Sequence, residues 1–216
     1  MGWPNVSGQR RTFRREGEAQ RREDLVAAAL DCIAAGGPLG ATVRAIAERA
    51  GVTPGLIRHY FNTKEDLISA AYSALMTGLN TSGALGLAEA GGDATARLVA
   101  FVVSAVTPPV VDPRAMALWA GFIHMVQRDA AMRNVHSRSY LGYRNQLQRL
   151  IAAALVQSGR AAGEPELRRL AIACNAVIDG LWLEGSALPE AFAADELPAI
   201  ALTSVGAILG LQLKKD

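Results

Sequence analysis

The chain is 216 residues long, 50% hydrophobic and 19% charged, with a formal net charge of +2. That balance excludes a polar disordered polymer and a membrane protein with loops attached, and the length suits either one large domain or a small domain joined to a larger one. The net charge is too small to argue alone for nucleic acid or an anionic membrane. Its distribution is more informative: through Asp66 ten basic residues meet eight acidic ones, the remaining 150 residues are neutral, and six Arg fall within the first 22 positions.

In chain order, residues 1–18 carry Arg10, Arg11, Arg14 and Arg15 among glycines and lack an apolar period. They are expected as a flexible basic arm or, for the first eight, a plain solvated tail. A helix is predicted over 21–35, with Leu25, Ala29, Cys32 and Ile33 on one face, stopping at Gly36-Gly37-Pro38. Thr42 is placed to cap a short helix that ends at Gly51, and Thr53-Pro54 opens the next with a hydroxyl cap and a proline at its first position. Thr63-Lys64-Glu65-Asp66 caps a fourth helix, predicted to reach about Leu79 before a Gly-rich linker over 81–92. Further helices are predicted over 93–106, 113–128, 130–158, 164–188 and 194–213. Strand alternation is nearly absent, so the fold class is all-α.

Cys32 and Cys174 stand apart in apolar helical patterns and are expected as buried free thiols in a reducing cytoplasm. No secretory leader is legible, and the longest apolar runs, 98–106 and 199–211, are too short or too interrupted to span a bilayer. The expected location is cytoplasmic, with no membrane partner.

Residues 43–62 have the spacing of a helix-turn-helix. Ile46 and Ala47 face inward on the first helix, Gly51 turns the chain, Val52 plugs the joint, and Ile57 and Tyr60 face inward on the second. The outward face holds Thr53, Gly55, Arg58, His59 and Lys64, with Arg44 beside it, a set suited to base edges and phosphates of duplex DNA. An ordinary helical hairpin would leave that face unexplained.

The stretch from Gly51 to Leu67, Gly-Val-Thr-Pro-Gly-Leu-Ile-Arg-His-Tyr-Phe-Asn-Thr-Lys-Glu-Asp-Leu, resembles the amino-terminal domain of the TetR family of bacterial transcriptional regulators, and the likeness extends over 18–72. The resemblance implies an all-helical homodimer, with a three-helix DNA-binding domain and a larger domain that binds an effector and dimerises. It places Thr53, Gly55, His59, Tyr60 and Lys64 on DNA, with Thr42 and Arg44 from the preceding helix and Arg58 at a variable position that helps choose the operator. His59 has a structural role as its alternative. The implied division is an arm over 1–18, a DNA-binding domain over 19–66 and an effector-binding and dimerisation domain over 67–216.

Further on, Met116-Ala117-Leu118-Trp119-Ala120-Gly121-Phe122 and Val177-Ile178-Asp179-Gly180-Leu181-Trp182-Leu183 resemble the BetI-like subgroup, which includes the choline-responsive repressor of glycine-betaine synthesis and whose members need not sense choline. The chain departs from that pattern in having no second tryptophan after Phe122 and in having Glu184 at a basic position. On the residues themselves, Asn175, Asp179, Trp182 and Ser186 share one face of an otherwise aliphatic helix. An acid there needs a partner. Arg144 or another residue of the protein would serve, as would a cationic or hydroxylated ligand held against Trp119, Phe122, Tyr143 or Trp182. The last two helices are apolar over wide arcs and are the expected dimer surface, Gly206 and Gly210 allowing close approach.

The expected function is a ligand-responsive repressor on a palindromic operator with half-sites about 34–36 Å apart or a multiple of that. The effector would act through the fourth helix, and about 1.4 kcal/mol of preference for the non-binding form gives about tenfold release. No catalytic motif, metal set or cofactor motif is legible, so no catalytic residue, metal or cofactor is expected. The alternatives are a helical adaptor that binds only protein, or a metal-dependent enzyme using His124, Asp129 and His136.

Overall fold

A computed structural model of the chain describes the backbone over residues 6–89 and 92–214 and the side chains over 17–81 and 92–214. All regular structure among the described residues is helical: α1 Val6–Gly40, α2 Val43–Arg49, α3 Pro54–Tyr60, α4 Lys64–Glu89, α5 Ala94–Ala105, α6 Pro113–Val126, α7 Ala130–Gln157, α8 Glu164–Ala187 and α9 Glu196–Leu209, with a 3-10 turn at Pro189–Ala191. Side-chain caps set most of the starts. Thr42 accepts from the Ala45 amide, Asp93 from Ala96, Asp112 from Ala115 and Asp129 from Met132.

Two helices outrun their sequence limits. α1 begins at Val6 instead of near Arg21, because the Gln, Arg and Glu that follow are good helix formers. Of the arm expected over 1–18, residues 1–5 and the side chains of 6–16 lie outside the described residues. The stop expected at Gly36-Gly37-Pro38 falls where Gly37 leaves helical geometry, with φ 66° and ψ −177°, although helical turns resume to Gly40. α4 passes its expected end at Leu79 and reaches Glu89, through the segment expected as a linker. Glycine costs a helix only about 1 kcal/mol, and no proline interrupts the run.

The chain divides into two units, Met1–Ala74 and Leu75–Asp216. In the first, Leu25, Ala29 and Ile33 of α1, Ile46 and Ala47 of α2, Ile57 of α3, Phe61, and Leu67 and Tyr72 of α4 are buried. Each of the Leu, Ile and Phe side chains contributes about 1.5–3 kcal/mol on burial, which makes a core that fixes two very short helices. In the second, α7 packs on α5 and α8, and α8 on α9. Their shared core takes Leu98, Phe101 and Val102 from α5, Leu147 and Ile151 from α7, Cys174 and Ile178 from α8, and Ala201 and Val205 from α9. Both cysteines are free and buried, and burial pushes the Cys174 thiol up to about 12. No helix among the described residues is long and apolar enough to cross a membrane.

The glycines of α9 serve this chain's own ending. A Cβ on Gly206 would lie 2.7 Å from the Leu211 carbonyl oxygen, and Gly210 has φ 65° as the cap that stops the helix. At Gly206 the close approach is thus with the chain's own C-terminal segment, while a Cβ on Gly210 would lie 3.0 Å from Arg160.

Candidate functional site

The first unit builds an exposed polar face from local rules. After α2, the Val52 amide donates to the Ala47 carbonyl at 2.9 Å and the Gly51 amide to Glu48 at 3.2 Å, with Gly51 at φ 65°. This is a Schellman ending, which needs a residue tolerant of positive φ. The chain then re-enters a helix at Pro54. Thr53 sits at the N-cap but makes no side-chain cap hydrogen bond, so the hydroxyl cap expected there is absent. The Pro54 ring already fixes the first turn and needs no donor satisfied. Beyond α3, Thr63 and Asp66 form a reciprocal capping box: the Thr63 amide donates to Asp66 Oδ2 at 3.1 Å and the Asp66 amide to Thr63 Oγ1 at 3.0 Å.

Thr53, Gly55, Arg58 and His59 are exposed, as are Thr42 and Arg44, while Tyr60 and Lys64 are half-buried. The inward position expected for Tyr60 belongs to its neighbour: Phe61 is the ring that enters the core, with the Arg22 guanidinium 4.7 Å from its centroid. Tyr60 instead meets His59 edge to face at 5.1 Å. Ion pairs of this unit include Arg21 with Asp24 and Arg49 with Asp31, and among the described residues Arg44, Arg58 and Lys64 have no carboxylate partner. Gly55 has an ordinary helical φ, and a Cβ there would meet only Thr53 Oγ1 at 3.9 Å. Nothing inside the molecule requires a glycine at this position.

The second unit holds an open cavity of about 320 Å³. Its wall includes Met76, Leu79 and Asn80 of α4, Trp119 of α6, His136, Tyr140 and Tyr143 of α7, and Asp179 and Trp182 of α8. The polar face of α8 organises one side. The Tyr140 hydroxyl donates to Asp179 Oδ2 at 2.6 Å, and Asn175 Nδ2 donates to the same oxygen and to Tyr140 Oη, each at 2.7 Å. Trp182 Nε1 donates to the Val110 carbonyl at 2.8 Å, and the Asp112 amide donates to Ser186 Oγ at 3.2 Å, so the same face also holds the connection between α5 and α6.

Burial pushes the Asp179 carboxyl above its ordinary range, opposed by its hydrogen bonds from Tyr140 and Asn175 and by nearby His136. Burial and the Asp179 carboxylate together push Tyr140 up to about 12. His136, stacked on Tyr140 at 5.4 Å, is lowered by burial and partly restored by Asp179. Tyr143 Oη and Asn175 Oδ1 are buried beside this network without a hydrogen-bond partner. Orphaned polar atoms cost about 1–3 kcal/mol each and are rare in native cores.

Of the effector residues expected from sequence, Trp119, Tyr143, Asp179 and Trp182 line the cavity. Asn175 is 3% exposed and holds Asp179 from behind, and Phe122 is fully buried outside the lining. Arg144, a candidate partner of Asp179, is displaced in that role by Tyr140 and Asn175. Sequence reasoning missed Tyr140 and weighed His136 only for a metal, although residues 136, 140 and 143 repeat on α7 the 0, 4, 7 spacing that singles out α8. The metal alternative has no support in geometry: Asp129 caps α7, and no group of three His, Cys, Asp or Glu suited to a metal occurs among the described residues.

Comparison with known proteins assigns a class to this pairing of a helix-turn-helix head with a helical, cavity-bearing unit. The family model for bacterial regulatory proteins of the tetR family matches residues 25–71, and that for the C-terminal part of the BetI-type transcriptional repressor matches residues 94–210. The HTH-type transcriptional regulator BetI of Stenotrophomonas maltophilia is 33% identical over 85% of this chain and 90% of its own length; that of Ectopseudomonas mendocina is 32% identical over 90% and 94%. The crystal structure of a putative transcriptional regulator from Pseudomonas aeruginosa PAO1 is similar with a TM-score of 0.81 and 31% identity, covering 89% of this chain and 91% of that one. The chain belongs to the TetR family of transcriptional regulators, in its BetI-type division. It is a ligand-responsive DNA-binding regulator and not an enzyme; regulators of this family bind operator DNA and ligands and act as dimers.

Proposed function

We propose that this regulator binds a palindromic operator as a homodimer, with α3 of each subunit in the major groove, and that a small cationic effector in the cavity lowers operator affinity. Thr53, Gly55, Arg58 and His59 would approach base edges, and Thr42, Arg44, Tyr60 and Lys64 phosphates. The functional division follows: an arm over 1–18, the DNA-binding domain over 19–66, and effector binding and dimerisation over 67–216. Exposed Ala176 and Gly180 of α8 and Ile200 and Ala207 of α9 supply the dimer face, and the site of action is the cytoplasm.

The observation that carries the DNA reading is the state of the exposed face. Among the described residues Arg44, Arg58 and Lys64 are left without carboxylates, and Gly55 has no neighbour there that requires it to lack a side chain. Unpaired cations cost little in water and gain phosphate contacts on DNA, while a missing side chain lets a duplex approach the helix closely. The cationic reading of the effector rests on Asp179, a carboxylate in a largely apolar wall beside two tryptophans. A cation over an aromatic face gains about 0.5–2 kcal/mol, and the acid adds to that.

Selecting bound fragments from the host genome tests the proposal. A palindromic site retarded by the full chain, and not by the Arg44→Ala/Lys64→Ala variant, is the expected result. Failure to retard any fragment at low salt would overturn it.

A further inference from the structure

The outward face of α8 carries opposite charges at its two ends. Arg169, Ala173, Ala176, Gly180 and Glu184 follow one another at offsets of 0, 4, 7, 11 and 15, which confines them to one stripe of the helix. Ala171, Cys174 and Ile178, on the opposite side, enter the core. Along the stripe Arg169, Ala176, Gly180 and Glu184 are exposed and Ala173 is half-buried. A cation thus stands at one end and an anion at the other, about 22 Å away at the helical rise, with small residues between.

Neither charge is used within the chain: among the described residues Arg169 and Glu184 make no ion pair. Nor does the fold require the glycine between them. Gly180 lies inside α8, and a Cβ there would meet nothing within 4 Å, although an exposed glycine weakens a helix relative to alanine. Close approach of a backbone from outside the chain accounts for such a position.

Two copies of this stripe match when they run in opposite directions. A twofold axis across the helix near Ala176 sets Arg169 against the partner's Glu184 and Ala173 against the partner's Gly180, and symmetry makes each contact twice. In a parallel pair like charges would meet at both ends. Resting on the reading of the protein as a homodimer, we infer that α8 packs antiparallel on α8 of the partner subunit, and that the two ion pairs between Arg169 and the partner's Glu184 fix the register and select a second copy of this chain as the partner. Charges at the two ends of such a contact act on the choice of partner more than on raw affinity, because a mismatched partner brings repulsion.

Arg169→Glu and Glu184→Arg, singly and together in the full chain, test this. Each single variant sets like charges against each other at both ends of its own homodimer. Its dimer dissociation constant, measured by sedimentation, should rise about tenfold or more over the parent's. Between the two single variants every like-charge contact becomes an opposite pair, so their mixture should favour the heterodimer by about tenfold or more over either homodimer. The chain carrying both exchanges should dimerise within about threefold of the parent. Co-expression with two affinity tags reads the heterodimer directly, and it decides the matter even if a single variant folds poorly alone. Single variants that dimerise as tightly as the parent, a mixture without preference for the heterodimer, or a double exchange that fails to restore the dimer each overturn the inference and leave the homodimer standing. A parent chain that sediments as a monomer overturns both.

Discussion

The two units use polar residues in opposite directions. In Met1–Ala74 the interior is apolar, and the side-chain hydrogen bonds among the described residues join positions three or four apart, as in the Thr63–Asp66 box, with the Arg49–Asp31 ion pair as a longer link. Arg44, Arg58 and Lys64 have no carboxylate partner among the described residues. In Leu75–Asp216 polar groups turn inward, and their bonds join residues far apart in sequence: Tyr140 with Asp179, Val110 with Trp182, Asp112 with Ser186. An outward set of unpaired cations is suited to a large charged partner; an inward network around a cavity is suited to a small one. The difference also separates what each unit risks. Changing the head's exposed face alters binding and spares stability, whereas changing the inner network alters both.

The largest effect expected on that contrast is in the head. Arg44→Ala with Lys64→Ala should lower operator affinity by about a hundredfold or more while leaving the thermal midpoint unchanged. The slope of log affinity against log salt should become shallower by roughly 0.9 for each phosphate that the variant no longer neutralises. A titration at several salt concentrations checks both. An unchanged slope would remove these two residues from the phosphate-binding set.

In the second unit, Gly206→Ala puts a methyl group against the Leu211 carbonyl, a backbone atom that cannot swing away. Overpacking of this kind costs about 1–3 kcal/mol, measurable by urea unfolding. A smaller loss, about 1 kcal/mol, should follow Trp182→Phe, which removes the donor to Val110. That variant should also loosen binding of a cationic effector, since the ring lines the cavity.

The smallest effect has the most informative sign. The folded carboxyl of Asp179 is raised above its unfolded value by burial, with Tyr140, Asn175 and His136 as the groups opposing the shift. Its ionisation therefore works against folding: the penalty is full above the folded pKa, shrinks as pH falls through it, and vanishes below the unfolded pKa near 3.8. Asp179→Asn should melt slightly higher than the parent at pH 7–8, and the gap should close as pH falls toward 4. Binding of a cationic effector should weaken over the same fall in pH, as the carboxylate that holds it is neutralised. Melting curves across that range check the first expectation, and titrations the second.

What is legible in the sequence follows the same division. The head is encoded by neighbours: the Thr42 cap, the Gly51 turn, Pro54 at the first position of α3 and the Thr63 box are each set by residues within one helical turn, and periodicity exposes the face that α3 presents. The differences there are small, such as the exchange of Tyr60 for Phe61 as the buried ring. The starts and stops of α5 to α8 are legible for the same reason, whereas α9 stops at Leu209 and not at the expected 213, because Gly210 caps it at φ 65°. The cavity is legible only by halves. Periodicity on α8 singles out Asp179, Trp182 and Ser186, but which side chain reaches Asp179 depends on how α7 packs against α8. Charge favours Arg144; the packing presents Tyr140. The share of Met76, Leu79 and Asn80 in the wall has no local signal, because nothing in their own turn of α4 differs from an ordinary helix.

The central claim is that the exposed face of α3 is shaped for a partner and not for the fold, and Gly55→Ala tests it most directly. A Cβ at this position meets no closer neighbour than Thr53 Oγ1, at 3.9 Å, and alanine is the better helix former, so the variant should melt no lower than the parent. Its operator affinity, measured by fluorescence anisotropy on the selected fragment, should nevertheless fall at least tenfold. Undiminished affinity in a fully folded Gly55→Ala protein would contradict the account.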